Sequence, residues 1–412
     1  MRWTKVWARL LGIAGAIVEG VEFDGEDLVV RVRLDRRRRL RCGVCGKRAR
    51  SFDRGGGERC WRALDLGSTR CFLKAPAPRV RCQEHGVVVA WVPWADHDTR
   101  STRAFDDQVA WLAVYCNRST VSELMRVSWR TVGWIVARVS RRLGQGRDQF
   151  AGLRRIGIDE ISWRRGQRYL IVVLDHDSGR LVWAAEGRDE DTLDRFFFEL
   201  GDERAKLITH VSADAGSWIA NVVAVRCPNA VRCMDPFHVT RWATDALDQV
   251  RREVWNAARR AGDKQVARDL KGARWALWKG GERISARQRA KLAWIERTNR
   301  PLYQAYLLKE HLRLVFQLPF DAALDLLEAW LEWAESSLLQ PFTELAHTID
   351  EHLEAILNAL DHGLSNARVE ALNTRIRLIT RRAYGFHSAA PLIGLAMLSF
   401  GDFKPALPGR AA

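Results

Sequence analysis

The sequence predicts a multidomain α/β protein with a β-rich N-terminal module, a short helical module and a mixed α/β core that a large all-helical insertion interrupts. Three observations predict this class. Clustered cysteines and short alternating stretches fill the first hundred residues, apolar residues at helical spacing follow, and after Gly152 the pattern becomes strand-rich before a long helical stretch begins. At 412 residues the chain is also too long for one ordinary core.

The N-terminal module is predicted to begin with a short helix and a β-hairpin. Residues 1–19 carry basic residues ahead of a short apolar stretch, which faintly imitates a secretory signal, but glycines interrupt it. Residues 22–34 then alternate around Asp24-Gly25, which is a hairpin signal. The arginine run that follows, Arg36 to Arg39, would form either a solvated surface or a phosphate contact.

Two short knuckles supply four candidate metal ligands, namely Cys42, Cys45, Cys82 and His85. Each knuckle can wrap one edge of an ion with thiolate or imidazole, so that the pair suits tetrahedral zinc. Cys60 and Cys71 lack partner spacing and are predicted to be core thiols, although one of them can replace His85 as a ligand. This cysteine usage favours a metal over disulfides and fits a reducing cytoplasm. Unrelated cysteines and a surface histidine are the alternative.

Residues 105–143 are predicted to form a helix-turn-helix. Apolar residues fall on one face of a first helix, Ser119 is the predicted N-cap of the second, and a third runs from about Trp129 to Leu143. The last helix of such a motif enters the major groove of DNA. Its residues on or near the outward surface would be Arg130, Thr131, Trp134 and Arg138. A plain three-helix packing unit is the alternative.

The strand-rich part has the order βββαβαβ, with one acid on the first strand and another just after the fourth. Asp159 lies in the first strand, residues 155–161, and Asp214 follows the fourth, residues 207–212. This order is that of the ribonuclease H-like fold, in which strands one and four are neighbours, so the two carboxylates should meet. Carboxylate oxygens are the ligands that Mg²⁺ prefers, and two ions roughly 3.5–4 Å apart can serve phosphodiester displacement.

A third metal ligand is expected from a later helix, and Glu370 occupies that place. Asn366, Glu370 and Asn373 lie along one face of a predicted helix, residues 365–382. The same helix carries basic residues that would contact phosphates or form a solvated surface: Arg375, Arg377, Arg381 and Arg382.

Asp235 is the rival of Asp214 for the second catalytic position, because it also ends a strand and lies beside His238. We prefer Asp214, since the fourth strand borders the first in this topology, and we assign supporting roles to Asp235 and His238.

A long helical stretch rich in tryptophan separates the fifth strand from Glu370. Aromatic core packing is the favoured interpretation of Trp242, Trp255, Trp275, Trp278, Trp294, Trp330 and Trp333. Its basic part, residues 251–291, would alternatively clamp DNA or a second protomer. In the whole chain 66 Lys and Arg against 50 Asp and Glu leave a net charge of +16, which favours nucleic acid as the partner ahead of a membrane surface. No apolar run approaches the roughly 20 residues of a membrane span, which predicts a soluble protein.

Taken together, these motifs resemble those of a bacterial insertion-sequence transposase, and they are most similar to the IS-L-three family of DDE transposases. The resemblance spans nearly the whole chain and is carried by the two knuckles, the helix-turn-helix, Gly157-Ile-Asp159-Glu160, Asp235-Pro-Phe-His238, Asn366-x3-Glu370-x2-Asn373 and Arg381-Arg382-Ala-Tyr-Gly385-Phe386. It implies excision and insertion at terminal inverted repeats by hydrolysis and strand transfer, with Mg²⁺ or Mn²⁺ and the triad Asp159, Asp214 and Glu370. The family often has a second C-x2-C where this chain has Cys82-x2-His85.

These predictions give five parts: a zinc-binding module (1–98), a helix-turn-helix domain (99–150), the first part of a ribonuclease H-like core (151–240), a helical insertion (241–360) and C-terminal core helices (361–412). The expected partners are double-stranded DNA, as terminal repeats and as target, and a second copy of the chain in a DNA-bound dimer, with no membrane. The expected location is the bacterial cytoplasm, at the nucleoid. A non-catalytic zinc and helix-turn-helix regulator derived from a transposase is one alternative, although all three acids are present. A ribonuclease H-like nuclease of another type is the other.

Overall fold

The structure, a computed structural model, describes residues 3–13, 15–35, 39–214 and 216–410. The predicted role of the arginine run falls largely on Arg36 to Arg38, which lie outside the described residues. The chain divides into two compact units, one formed by Met1–Arg147 with Arg381–Ala412 and the other by Asp148–Thr380. The last residues of the chain, which the sequence places with the catalytic core, therefore group with the N-terminal unit.

The elements up to residue 147 are a short helix, seven strands and three further helices. They are α1 (Trp3–Leu10), β1 (Ala16–Asp24), β2 (Asp27–Leu34), β3 (Arg50–Asp53), β4 (Glu58–Leu66), β5 (Thr69–Pro76), β6 (Arg79–Cys82), β7 (Gly86–Val89), α2 (Arg103–Tyr115), α3 (Arg118–Met125) and α4 (Trp129–Gly144).

The elements after residue 147 alternate between strands and helices and then become wholly helical. They are β8 (Arg155–Arg164), β9 (Arg168–Asp175), β10 (Leu181–Glu186), α5 (Glu190–Leu200), α6 (Asp202–Ala205), β11 (His210–Ala213), α7 (Ser217–Arg226), β12 (Val231–Met234), α8 (Pro236–Arg260), α9 (Lys264–Gly272), α10 (Arg274–Trp278), α11 (Ala286–Thr298), α12 (Arg300–Val315), α13 (Phe320–Ser336), α14 (Gln340–Glu351), α15 (Leu353–His362), α16 (Ala367–Arg382) and α17 (Ala389–Phe400).

Two small sheets form the N-terminal part of the first unit, one in the order β1-β2-β5-β4 and the other in the order β3-β6-β7. The predicted hairpin is confirmed, because β1 and β2 are antiparallel up to the pair Asp24 and Asp27, and Gly25 takes a φ of +62° in the turn. Trp61 and Trp94 pack edge to face inside this part, with ring centroids 5.7 Å apart.

Helices α2, α3 and α4 of the first unit form the predicted helix-turn-helix, and each begins at a side-chain cap. Ser128 caps α4 by accepting a hydrogen bond from the backbone N–H of Thr131 at 3.1 Å. The predicted cap of α3 is wrong: Asn117, not Ser119, accepts from Thr120 at 2.8 Å. Arg126 ends α3 with a left-handed φ of +53°, which produces the sharp turn into α4.

A five-stranded mixed sheet in the order β10-β9-β8-β11-β12 organises the second unit. β8, β9 and β10 are antiparallel neighbours, whereas β11 runs parallel to both β8 and β12. The predicted adjacency of the first and fourth strands is therefore confirmed, with Ser212 opposite Gly157. The fourth strand begins at His210 rather than at residue 207, because 207–209 form the turn that follows α6.

Helices α8 to α15 of the second unit build a separate apolar core. Trp330 is fully buried there, and its indole N–H donates to the carbonyl of Leu308 at 2.8 Å. The predicted core role of the tryptophans is confirmed for all except Trp275, which is 59% exposed at the start of α10. None of the helices that the structure describes is long and apolar enough to cross a membrane.

Candidate active site

Three acids lie in a row across neighbouring strands of the second unit. Asp159 is in the middle of β8, Asp214 directly follows β11 and Asp235 directly follows β12. The parallel pairs Ser212 with Gly157 and Ala213 with Met234 set the register, which continues to Asp214 between Asp159 and Asp235. The topology thus brings together carboxylates that are far apart in the sequence.

Asp159 is held by two hydrogen bonds. Its Oδ1 accepts from the backbone N–H of Glu160 at 2.7 Å, and its Oδ2 accepts from the Asn373 side-chain amide at 2.6 Å. Burial, together with the negative charges of Asp214 and Asp235, raises the pKa of Asp159 to about 7. The folded site therefore disfavours a full set of ionised carboxylates unless a cation is added.

His238 joins the other two acids. Its Nδ1 lies 2.9 Å from both Asp214 Oδ1 and Asp235 Oδ2. The single N–H donates to Asp235, so Asp214 Oδ1 is buried without a hydrogen-bond donor in the described part of the chain. Burial alone would lower the pKa of His238, but its hydrogen bond to Asp235 and the negative charges of Asp214 and Asp235 outweigh burial and raise this pKa to about 10.

Asp214 and Asp235 differ in what else they bind. Asp235 caps α8 by accepting from Phe237 N at 3.3 Å, and it also accepts from Asn366 N at 3.3 Å. Its side chain is 2% exposed, whereas that of Asp214 is 32% exposed. The Asp235 carboxylate is therefore occupied by hydrogen bonds with backbone N–H groups, whereas the Asp214 carboxylate is accessible to a ligand.

Helix α16 brings Glu370 to this row of acids. The helix begins at Ala367 rather than at the predicted residue 365, so Asn366 directly precedes it. Asn366 and Asn373 are both buried, and Asn373 forms the hydrogen bond to Asp159 described above. Glu370 is partly exposed, and burial, followed by the negative charge of Asp235, raises its pKa. Within the described residues, the acidic ligand cluster whose atoms all lie within 4.8 Å contains Asp214, Asp235 and His238, and neither Asp159 nor Glu370.

A buried polar chain supports the row of acids, and two of its members, His176 and Ser212, were not predicted from the sequence. Ser212 Oγ donates to Asn366 Oδ1, and His176 Nε2 lies 2.6 Å from the same hydroxyl. Because the hydroxyl gives its proton to Asn366, His176 must donate through Nε2. Burial, with the charges of Arg368 and Arg155, lowers the pKa of His176 to about 4. Only the position of Ser212, two residues before Asp214 on one strand, could have indicated this chain.

The four predicted zinc ligands come together in the first unit. Cys45 Sγ lies 3.7 Å from Cys82 Sγ, and His85 Nδ1 lies 3.7 Å from Cys82 and 3.9 Å from Cys42. Thiolates bound to one tetrahedral zinc at about 2.3 Å would be about 3.8 Å apart, which matches this spacing. The hydrogen bond from His85 lowers the pKa of Cys82 to about 6.

The two remaining N-terminal cysteines lie outside this cluster. The alternative in which one of them replaces His85 is therefore wrong, because His85 completes the four-residue group. Cys71 is buried in the sheet as predicted, but Cys60 is exposed on β4, so the core prediction fails there.

Three of the four predicted residues of α4 are exposed: Arg130, Thr131 and Trp134. The outward position predicted for Arg138 is wrong. Its guanidinium turns toward α2, where Nη2 lies 2.6 Å from the buried Asp106 and 3.1 Å from Ser101 Oγ. A DNA contact by Arg138 would require breaking this ion pair.

The basic residues of α16 also differ in their surroundings. Arg375, Arg377 and Arg381 are exposed. Arg382 is exposed too, but its guanidinium donates to carbonyls at the end of α2, including Val114 O at 2.8 Å.

Comparison with known proteins places these features in one family. The ISL3 family profile described as "Transposase" matches residues 156–393, the helix-turn-helix domain of transposase family ISL3 matches 92–140, and the zinc finger of the transposases of IS204, IS1001, IS1096 and IS1165 matches 32–85. The chain is 52% identical to the transposase for insertion sequence element IS1557 in two strains of Mycobacterium tuberculosis, over 100% of this chain and 98% of that protein. It is 27% identical to the transposase for IS1001 of Bordetella parapertussis, over 90% of this chain and 89% of that protein. The chain therefore belongs to the ISL3 (IS-L-three) family of DDE transposases.

Proposed function

We propose that this transposase cuts and joins DNA at a divalent-metal site formed by Asp159, Asp214 and Glu370. The observation that supports the proposal is the parallel pairing of β11 with β8, whose last pair is Ser212 with Gly157. Extended by two residues, this register would bring Asp214 opposite Asp159. Asn373 of α16 is bonded to Asp159 and lies three residues after Glu370, so it supports Glu370 as the third acid. The strand order of the sheet is β10-β9-β8-β11-β12, in which the first strand of this core, β8, lies between the second and the fourth. This order supports a ribonuclease H-like core that α8 to α15 interrupt.

The donor set fits Mg²⁺ or Mn²⁺. Asp214 Oδ1 and Asn373 Oδ1 are buried oxygens without a hydrogen-bond donor among the described residues, and burial together with the neighbouring negative charges raises the pKa of Asp159. Hard divalent cations prefer such oxygen ligands. When bound, they would lower the pKa of a water nucleophile and stabilise negative charge on the phosphodiester.

The protein's own groups would orient this site rather than transfer protons. Asn373 and the backbone of Glu160 fix both oxygens of Asp159. His238 holds Asp214 beside Asp235, and Asp235 ties β12 to the start of α16 through Asn366. Fixed carboxylates keep their geometry as charge develops, which is how such sites lower a barrier.

The remaining modules would deliver DNA. Arg130, Thr131 and Trp134 of α4 would contact the terminal inverted repeats, with Arg138 holding α4 on α2. The basic residues that would lie near phosphates are Arg375, Arg377, Arg381 and Arg382. We also propose that the chain divides into five parts, with boundaries after residues 98, 150, 240 and 360. The protein would assemble as a dimer on double-stranded DNA. It would act on chromosomal and target DNA in the bacterial cytoplasm. Residues 381–412 would then serve the DNA-binding unit, with which they pack.

Cleavage of DNA carrying the element ends tests this proposal. With Mg²⁺ or Mn²⁺, we expect the wild-type protein to cut at the ends, and Glu370→Gln to lose cutting by at least about 10²-fold while keeping end binding, because a neutral amide oxygen holds a divalent cation more weakly than a charged carboxylate does. Glu328→Gln, at an exposed position on α13, is the matched control and should cut normally.

Other outcomes of the same assay identify the alternatives. If the wild-type protein binds ends but cuts nothing with either metal, it is a regulator. If it prefers four-way junctions or requires a guide RNA, it is another ribonuclease H-like nuclease. If Glu370→Gln cuts as fast as the wild type, the proposed triad is wrong.

We further propose that Cys42, Cys45, Cys82 and His85 hold one Zn²⁺, on the basis of their spacing. Cys45→Ser should lower the zinc content of the purified protein and the unfolding temperature of its N-terminal part, because structural zinc contributes folding free energy directly. Cys60→Ser, outside the cluster, should keep both. Metal analysis and thermal unfolding measure the two effects, and full zinc content in Cys45→Ser would contradict the assignment.

A further inference from the structure

Helix α17, near the C-terminal end of the chain, packs on the helices that are assigned to DNA binding. Helix α17 packs against α4 so closely that a Cβ on Gly394 would lie 2.9 Å from Ala137 Cα, and one on Gly133 would lie 3.3 Å from Pro391. The backbone approach at Ala137 requires glycine at position 394, and a Cβ on Gly133 would also lie 2.7 Å from the Arg118 guanidinium. The helix-turn-helix is therefore a four-helix module whose fourth helix comes from the C-terminus.

Arg118 fixes the segment before α17 against the start of α4. Its guanidinium lies between the rings of Trp129 and Phe386, 4.8 Å and 4.9 Å from their centroids. Nη2 donates to Trp129 O at 2.8 Å, and Nη1 donates to Gly385 O at 3.4 Å. Because this arginine is 6% exposed, the contacts cannot easily rearrange.

Two further contacts anchor the ends of this segment, Arg381–His387. Arg382 donates to carbonyls at the end of α2, and the ring of His387 packs against that of Trp129 with the centroids 4.7 Å apart and the planes tilted by 30°. The segment therefore lies beside the first residues of α4, which also carry the exposed side chains of Arg130 and Thr131.

Tyr384 is the residue that this anchoring presents to solvent. Its side chain is 86% exposed, and its φ of +54° lies in the left-handed region that non-glycine residues rarely adopt. Gly385 follows with a φ of +92°. A bulky residue held in this conformation costs free energy, and such strain concentrates at functional sites.

We propose that the segment Arg381–His387 belongs to the DNA-binding surface and that Tyr384 contacts duplex DNA next to the helix α4 contacts. This inference rests on the proposed binding of terminal repeats by α4. The segment carries two arginines and no acidic residue, so its charge suits a phosphate backbone. An exposed tyrosine beside arginine can contact a sugar or a phosphate of the duplex backbone.

The test compares two equally exposed aromatic residues. Tyr384→Ala should weaken binding of the full-length protein to a terminal-repeat duplex by about tenfold, because aromatic contacts with nucleic acid typically contribute a factor of that order. Phe198→Ala on α5, where the side chain is 85% exposed, should bind as the wild type does. Tyr384→Phe should recover most of the affinity if the ring makes the contact. Fluorescence anisotropy measures affinity, and thermal unfolding checks that all variants fold.

An Arg130→Ala arm separates this inference from the proposed function. If Arg130→Ala weakens binding and Tyr384→Ala does not, the inference is overturned and the role of α4 stands. If neither variant weakens binding, the role assigned to α4 fails as well. If Tyr384→Ala changes self-association in sedimentation but not DNA affinity, the segment is an interface between copies, which also overturns the inference.

Discussion

Asp159→Asn is expected to lower the rate of metal-dependent end cleavage by about 10³-fold or more while leaving end binding intact. Loss of one anionic metal ligand removes several kcal/mol of transition-state stabilisation, and each 1.4 kcal/mol is a factor of ten in rate. The effect should appear in the rate rather than in DNA affinity, because Asp159 lies in the second unit, whereas the residues assigned to end binding on α4 lie in the first.

The same substitution should stabilise the metal-free fold. Burial and neighbouring acids raise the pKa of Asp159 to about 7, so its ionised form is less favourable in the folded chain than in the unfolded chain. The resulting loss of stability begins near pH 4, the ordinary pKa of aspartate, and is complete above about pH 7. Asn carries no charge, and its oxygen can still accept the hydrogen bond from Glu160 N. Its amide group can donate to Asn373 Oδ1, which lacks a donor among the described residues, once the Asn373 amide turns over. We therefore expect a higher unfolding free energy at pH 8 in the presence of a chelator.

Asp177→Asn is the matched control for this prediction. Asp177 is exposed beyond the end of β9 and pairs with Arg155, outside the row of acids. The Asp177→Asn variant should cut at the wild-type rate, and its free energy of unfolding should not rise. If Asp159→Asn cuts at the wild-type rate, Asp159 does not belong to the triad. The candidate metal site would then be the group of Asp214, Asp235 and His238.

Local patterns in the sequence predicted much of this site. Alternation and β-branched runs located β8, β9 and β10 within a few residues, and the order of elements predicted that β11 lies beside β8. Knuckle spacing found all four cysteine and histidine residues of the N-terminal cluster. These signals work because strand register and short metal loops depend on near neighbours in the chain.

The parts that the sequence did not predict depend on distant segments. Arg138 has helical spacing that puts it near the surface of α4, but buried Asp106 on α2 draws it inward. The hydrogen bonds of His176 and Ser212 could not be predicted, because they form only where the ends of β9 and β11 and the start of α16 come together in the fold. The packing of α17 on α4 joins residues from opposite ends of the chain, and no local period records such a contact.

Asp214 and Asp235 should be separated by the kind of loss that each asparagine variant shows. Asp214 is partly exposed, has one oxygen without a hydrogen-bond donor, and lies opposite Asp159 in the sheet register. Asp214→Asn should therefore lose cleavage by about 10³-fold with the unfolding free energy nearly unchanged or higher, because only a crowded charge is removed.

Asp235→Asn should instead lose stability. Its buried carboxylate accepts hydrogen bonds from Phe237 N, Asn366 N and His238 Nδ1, and an amide has one acceptor oxygen and brings a donor group into the same place. Leaving such buried groups unsatisfied costs about 1–3 kcal/mol. Urea unfolding and cleavage with saturating Mn²⁺ on the same preparations measure both losses. If Asp235→Asn stays as stable as the wild type and loses cleavage like Asp159→Asn, whereas Asp214→Asn cuts normally, then Asp235 is the second catalytic acid, because its carboxylate is then needed for the reaction and not for the fold.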